Sequence, residues 1–149
     1  MGALAVEDAI RKLLVDDASV SAEVGSRVYY QFPARNAARP FIVLHQVSGD
    51  HDHDLSGASG HATTRIQADL CDDRDQLARL KGLAESVRQA LQGYSDTVTI
   101  AADSVEIAVV TLENQRGDTD NPGAGTDTLY RRVIQDYEVA YAESVPTFE

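Results

Sequence analysis

Apolar residues recur at helical spacing near the start of the chain. Four of them, from Val6 to Leu14, follow one another at steps of 4, 3 and 1, which places them on one side of a helix. This spacing predicts a helix over residues 6–15. A shorter apolar set that ends at Val24 extends the helical region to Gly25, a residue type that commonly stops a helix.

The clearest helical pattern lies in the second half of the chain. Its apolar stripe repeats at 3 or 4 residues and consists of Leu77, Leu80, Ala84, Val87 and Leu91. We predict a helix from about Asp73 to Leu91. Either Asp72 or Asp73 caps its start, and Gly93 lies just past its end.

Other stretches have the residue types or the alternation of strands. We predict strands over residues 28–32, 41–47, 64–70, 105–112 and 129–141. The second of these is apolar on both faces at its start, which is typical of a central strand that is covered on both sides. Two helices cover only one face of a sheet, so we infer that a neighbouring subunit covers the other.

The last two strands indicate which side chains the sheet buries. Strict alternation places Val105, Ile107 and Val109 on one face of the first. The apolar face of the final strand is interrupted by Arg131 and Gln135.

The remaining segments are rich in Gly, Ser, Asp and Asn. By composition we predict mobile loops at residues 48–62 and 114–128 and a tail at residues 142–149. The order of helices and strands predicts an α+β fold: a mainly antiparallel sheet of four to six strands with two helices packed on one face. We expect one domain over residues 1–149.

Charge and cysteine content narrow the function classes. Acidic residues outnumber basic ones by 24 to 13, for a net charge of −11, which disfavours binding to nucleic acid or anionic lipid. No apolar run approaches membrane-spanning length, and the first residues lack the pattern of a secretion signal. The single cysteine, Cys71, excludes an intrachain disulfide, and we predict that it is a buried structural thiol.

One segment contains residue types that bind metals. Residues 50–54 alternate Asp and His, and the possible ligands are His51, His53 and His61. The Gly- and Ser-rich surroundings do not preorganise a site, so we assign no metal, cofactor or catalytic residue. A small metal-dependent hydrolase that uses this loop, or a generic α+β binding module, remains the alternative function.

Short motifs in a fixed order resemble those of the tail completion proteins of tailed phages. They span about residues 5–141 and include Val24-Gly25-Ser26-Arg27-Val28-Tyr29, Arg39-Pro40-Phe41-Ile42-Val43-Leu44, Leu55-Ser56-Gly57, Arg65-Ile66-Gln67-Ala68-Asp69-Leu70, Ala90-Leu91-Gln92-Gly93 and Arg131-Arg132-Val133-Ile134-Gln135-Asp136-Tyr137-Glu138-Val139. The resemblance implies a non-enzymatic virion protein, made in the bacterial cytoplasm. It also implies a ring, commonly of six subunits, that ends the tail tube or joins tail to head.

That resemblance also implies partners, and the residues themselves suggest an interface. The partners are further copies of the chain, the major tail tube protein and head–tail connector proteins, while DNA passes through the ring without specific binding. The interface candidates surround the first two strands and are Arg27, Arg35, Arg39, Tyr29 and Tyr30. The alternative interpretation of the three arginines is exposed charge that balances the acidic surface.

Overall fold

Three helices and six strands form the architecture. The computed structural model describes the backbone of residues 5–54, 57–73, 75–120 and 130–142, and within these it leaves out the side chains of residues 48–54, 57–61, 118–120 and 130. In chain order the elements are α1 (Val6–Asp16), α2 (Ala18–Val24), β1 (Val28–Tyr30), β2 (Phe41–Asp54), β3 (Gly57–Asp73), α3 (Leu77–Leu91), β4 (Asp96–Ile100), β5 (Asp103–Asp120) and β6 (Tyr130–Ala142).

The six strands form one sheet in the order β1-β2-β3-β6-β5-β4. Only β1 and β2 run parallel, and the other four neighbouring pairs are antiparallel. The sheet curls into a half-barrel. Helix α1 contacts both edge strands, β1 and β4, so the helices lie inside the curl. The predicted mainly antiparallel α+β fold is confirmed at this level.

The main core lies between the helices and the concave face of the sheet. Helix α1 contributes Ile10 and Leu14, α3 contributes the stripe from Leu80 to Leu91, and β2 contributes Ile42 and Leu44. Burial of a large aliphatic side chain contributes about 1.5–3 kcal/mol, so this interface dominates the stability of the fold. Leu77 is the exception in the predicted stripe, because it is the first residue of the helix and is 38% exposed.

The prediction of two helices was wrong. The N-terminal helical region is broken at Asp17, which has extended backbone angles and accepts hydrogen bonds from the amides of Ser19 and Val20, both at 3.0 Å. Asp17 therefore ends α1 and caps α2, and Gly25 follows α2 with φ +58°.

The predicted start of the third helix was also wrong. Asp73 belongs to β3, and α3 begins at Leu77 without a side-chain cap. Asp72 is fully buried and accepts two hydrogen bonds from Arg79, at 2.7 Å from Nε and 2.5 Å from Nη2. This carboxylate ties the end of β3 to the first turn of α3 instead of capping the helix.

The inference that a neighbour must cover β2 was wrong. Phe41 and Val43 point away from the helices, yet they are only 5% and 4% exposed. They form a second small cluster with Cys71, against which Tyr29 and Ala37 pack. The chain's own β1–β2 connection therefore covers this part of the sheet, and the predicted burial of Cys71 is confirmed.

The strands are longer than the sequence pattern indicated. Most of the predicted loop at residues 48–62 is the paired end of β2 and β3, and β5 continues to Asp120 within the other predicted loop. Residues 121–129 and the tail beyond Ala142 lie outside the described residues. A bulge between Ile107 and Val109 reverses the alternation, so Val110 is buried and Val109 is 41% exposed, contrary to the prediction.

Candidate assembly surface

Two of the predicted interface arginines bind within the subunit. Arg27 donates from Nε to the Pro40 carbonyl at 3.0 Å and from Nη2 to the Glu23 carbonyl at 2.9 Å. Arg39 donates to Asp73 Oδ1 at 3.0 Å. Both side chains hold the β1–β2 connection against the sheet, and their role between subunits stays a prediction.

The two tyrosines of β1 lie on opposite faces of the strand. Tyr29 is half-buried, with its ring edge against Phe41 at 6.1 Å between centroids. Tyr30 is 40% exposed, and its hydroxyl donates to Asp8 Oδ1 at 2.5 Å. Partial burial and the Asp8 carboxylate raise the pKa of Tyr30 well above its usual value.

The β1–β2 connection, residues 31–40, presents an exposed apolar residue. Phe32 is 77% exposed, the highest value among the large apolar side chains of the described residues. The amide of Phe32 donates to the Tyr30 carbonyl at 2.6 Å, and Gln31 donates to the Leu44 carbonyl at 3.0 Å. Arg35 is exposed on the same connection. An aromatic and an arginine on an anchored segment are the residue types that dominate binding in protein interfaces.

The convex, helix-free face of the sheet is mostly polar and carries paired charges. Arg65 binds Glu113 at 2.6 Å, and Arg116 binds Asp136 at 2.8 Å. At the centre, Asp69 is 5% exposed and is bound by three neighbours. They are His45 (3.2 Å), Arg132 (3.5 Å) and Gln67 (2.9 Å). A face with balanced charges differs from the strongly acidic chain as a whole.

An open groove of about 640 Å³ runs between α1 and the turn that joins β4 to β5. Its polar lining is mixed in charge, with Asp8, Asp16 and Asp103 against Arg11 and Lys12. Lys12 pairs with Asp16, and Arg11 donates to the Val28 carbonyl at 2.9 Å. Both basic groups of the groove are therefore already engaged within the subunit.

The histidines considered as metal ligands belong to the long β2–β3 hairpin. The backbones of His51 and His53 lie in β2, opposite Ala62 and Ala58, and His61 lies in β3, opposite Ala142 of β6. Their side chains are not described. In the part of the chain whose side chains the structure describes, no group of three His, Cys, Asp or Glu residues is arranged to hold a metal ion. Among the helices described, none is long and apolar enough to span a membrane.

Sequence reasoning missed the feature that distinguishes this surface. Phe32 ends the strand predicted over residues 28–32, but its exposure depends on the positive φ of Gln31, which turns the chain out of β1. The network around Asp69 was missed as well. The only sequence signal for this network was the alternation of polar and apolar residues over residues 64–70. Any half-exposed strand shows the same alternation.

The fold has relatives among solved structures. A chain from the virion of a native gene transfer agent particle superposes with a TM-score of 0.71 at 20% identity, over 93% of this chain and 95% of that one. A second solved chain has a TM-score of 0.52 at 14% identity, with coverage of 95% and 98%. At these low sequence identities, the structural similarity shows a shared fold only. No curated protein matches the sequence.

Family membership follows from the sequence. The profile of the family described as tail completion protein gp17 matches residues 8–142. The chain therefore belongs to the tail completion protein family and is a structural phage tail protein. The resemblance stated from the sequence motifs is confirmed.

Proposed function

We propose that the chain assembles into a ring, with six subunits as the expected number, at the head-proximal end of a phage-type tail. There it ends the tail tube and joins the tail to the head. The observation that carries this proposal is the match of the tail completion profile over residues 8–142. The solved virion chain with the same fold supports a location in the particle.

The surface of the subunit also favours a protein partner. Phe32 and Val47 are 77% and 55% exposed, although both lie in or beside ordered strands. Removing one aromatic ring from water releases on the order of 1–3 kcal/mol, so an anchored Phe32 is suited to a pocket on another subunit. Arg35 lies on the same connection and could bind an acidic surface of another subunit. Each subunit has many acidic residues, since the net charge of the chain is −11.

The five interface candidates have different proposed roles. Arg35 and Tyr30 are exposed and are proposed to contact the neighbour directly. Arg27, Arg39 and Tyr29 are proposed to act mainly by holding the β1–β2 connection in place, because their observed contacts lie within the subunit.

A pair of surface variants tests the proposal. Phe32→Ser is expected to leave the free energy of unfolding of the subunit, measured in urea, unchanged within about 0.5 kcal/mol, as for a surface site. It should also weaken assembly, measured by light scattering after gel filtration with and without purified tail tubes. The matched control is Ile100→Ser, which removes a 38% exposed apolar residue on the β4 edge. If the unaltered chain stays monomeric in the presence of tubes, the ring proposal is wrong.

A further inference from the structure

The two edge strands, β1 and β4, are much shorter than the strands β2 and β5 with which they pair. Strand β4 pairs only with residues 103–107 of β5, and β1 pairs only with residues 42–44 of β2. Within the described residues, no strand lies beyond β5 after Glu113 or beyond β2 after Gln46. Among the residues that the structure describes, each flank therefore ends in a hairpin strand with one open backbone edge.

Elsewhere the chain closes its strand edges. On β1, Arg11 donates to the Val28 carbonyl and the amide of Phe32 donates to the Tyr30 carbonyl. On β5, Val110 is bonded on both its amide and its carbonyl by Gly93 and Tyr94. Soluble proteins close or disrupt edges in this way because an open edge is a template for another strand. The two hairpin edges are not protected by such contacts in the described residues.

The open edges lie on opposite flanks and at opposite ends of the sheet. One row of paired residues crosses the sheet at His45, Gln67, Asp136 and Asn114. From this row the open part of β2 extends towards one end of the strands, and the open part of β5 extends towards the other. Because β2 and β5 run in opposite directions, a copy with unchanged strand direction would present β2 antiparallel to β5.

We infer that the open edge of β5, residues 114–120, pairs by main-chain hydrogen bonds with the open edge of β2, residues 46–52, in the next copy of the chain. Two different edges meet in this contact, so it is head-to-tail and forms a closed ring when the rotation closes. The inference rests on the proposed ring and specifies how its subunits join.

The stagger that this pairing requires agrees with closed-sheet geometry. The edges come into register when the next copy is displaced by about six residues, roughly 20 Å along the strands at about 3.4 Å per residue. Across the sheet, the next copy is displaced by the width of the four strands β2, β3, β6 and β5. This width is about 19 Å, because neighbouring strands lie roughly 4.8 Å apart. These two lengths correspond to a strand tilt of about 45°, the upper end of the range found in barrels.

Charge opposes the contact in dilute buffer. The proposed paired edges carry Asp50 and Asp52 on β2, and Asp118 and Asp120 with Arg116 on β5. Salt screens repulsion between exposed charges, with a Debye length of about 10 Å at 0.1 M. The pairing is therefore expected to strengthen as salt concentration rises, and an acidic subunit remains separate until many contacts form together.

Disulfide trapping tests the pairing. With a stagger of six residues, Gly117 of one copy faces Gly49 of the next. The full chain is prepared with Gly117→Cys together with a cysteine at Ser48, Gly49 or Asp50, and is oxidised with glutathione disulfide in 0.5 M salt, with and without tail tubes. Position 117 tolerates a side chain, since an added Cβ would meet no atom within 4 Å.

A ladder of cross-linked oligomers from at least one of the three pairs, at least ten-fold above the control, supports the inference. The β2 cysteine that gives the strongest ladder shows by how many residues neighbouring copies are displaced along the strands. The control replaces the β5 cysteine by Thr97→Cys, on the exposed edge strand β4. The unaltered chain measures any contribution from Cys71, which is buried.

Two results would overturn the inference. If light scattering finds rings but none of the pairs cross-links above control, or Thr97→Cys cross-links instead, the subunits join by another surface and the proposed ring survives. If no oligomer forms even with tail tubes present, both the pairing and the proposed ring are wrong.

Discussion

Gln135 gives the sharpest quantitative prediction for the fold, because it is a fully buried polar residue with three defined partners. Its Nε2 donates to the Ala84 carbonyl of α3 at 2.9 Å and to Gln115 Oε1 at 2.8 Å. Its Oε1 accepts from the Tyr137 hydroxyl at 2.7 Å. The side chain therefore fixes the position of α3 on the concave face of the sheet.

Replacing Gln135 by Leu keeps the approximate volume but removes all three bonds. Gln115 is exposed and turns to water without large cost. The Ala84 carbonyl lies inside α3 and keeps its helical hydrogen bond, whereas the Tyr137 hydroxyl is buried, with the residue 1% exposed, and loses its acceptor. An unsatisfied buried polar group costs about 1–3 kcal/mol, so Gln135→Leu should lower the free energy of unfolding by about 1–3 kcal/mol.

A double-mutant cycle in urea separates this mechanism from a simple loss of packing. Tyr137→Phe in the unaltered chain leaves the Gln135 oxygen without its donor and should cost about 1–2 kcal/mol. In the Gln135→Leu background the same change removes an unsatisfied hydroxyl and should cost nothing or stabilise. The expected coupling is at least 1 kcal/mol, and effects that add within about 0.5 kcal/mol would refute the reasoning.

Three further predictions concern pH and the ends of helices. Burial raises the pKa of Tyr137, so above pH ~10 the unfolded chain loses this proton first and stability falls as pH rises; Tyr137→Phe should make that decline shallower in alkaline unfolding curves. Asp17→Ala should lower the urea-derived stability by about 1 kcal/mol through loss of the α2 cap, whereas Asp17→Ser should retain most of it. Asp72→Asn should lower the urea-derived stability by about 1–3 kcal/mol, because a fully buried carboxylate loses its charge beside Arg79, and a loss below about 0.5 kcal/mol would show that the ion pair contributes nothing.

The sequence was a good guide where one physical signal dominated. The apolar stripe of α3 and the mainly apolar face of β6 each follow a single period, and both were predicted correctly apart from Leu77 at the exposed start of α3. Gln135 was identified as an interruption of the β6 face. Its partners were not predictable, because they come from α3 and β5 and depend on how those elements pack.

The errors arose where a local feature altered a period or a boundary. Asp17 divides the first helix through its own side-chain hydrogen bonds, which compete with helix continuation. The bulge beside Ala108 reverses the alternation in β5 without a Gly or Pro to signal it. Residues 48–62 were predicted as a loop because their composition is polar, while pairing between β2 and β3 keeps the backbone of residues 48–54 and 57–62 in strands.

The proposed assembly surface could not be deduced from the hydrophobic pattern of the strands. The pattern of residues 41–47 suggested a cover from a second subunit, but the β1–β2 connection supplies that cover within the chain. The open edges of β2 and β5 arise from the unequal lengths of neighbouring strands. Strand order and register, which determine those lengths, are properties of the whole sheet and not of any one segment.

Electron microscopy of purified tail tubes incubated with the full chain would show directly whether the chain forms a ring. We expect a ring of this chain at one end of the tube only, with the sheet continuous from subunit to subunit. Tubes with bare ends at saturating chain concentration, or chains bound along the tube wall as separate monomers, would contradict it.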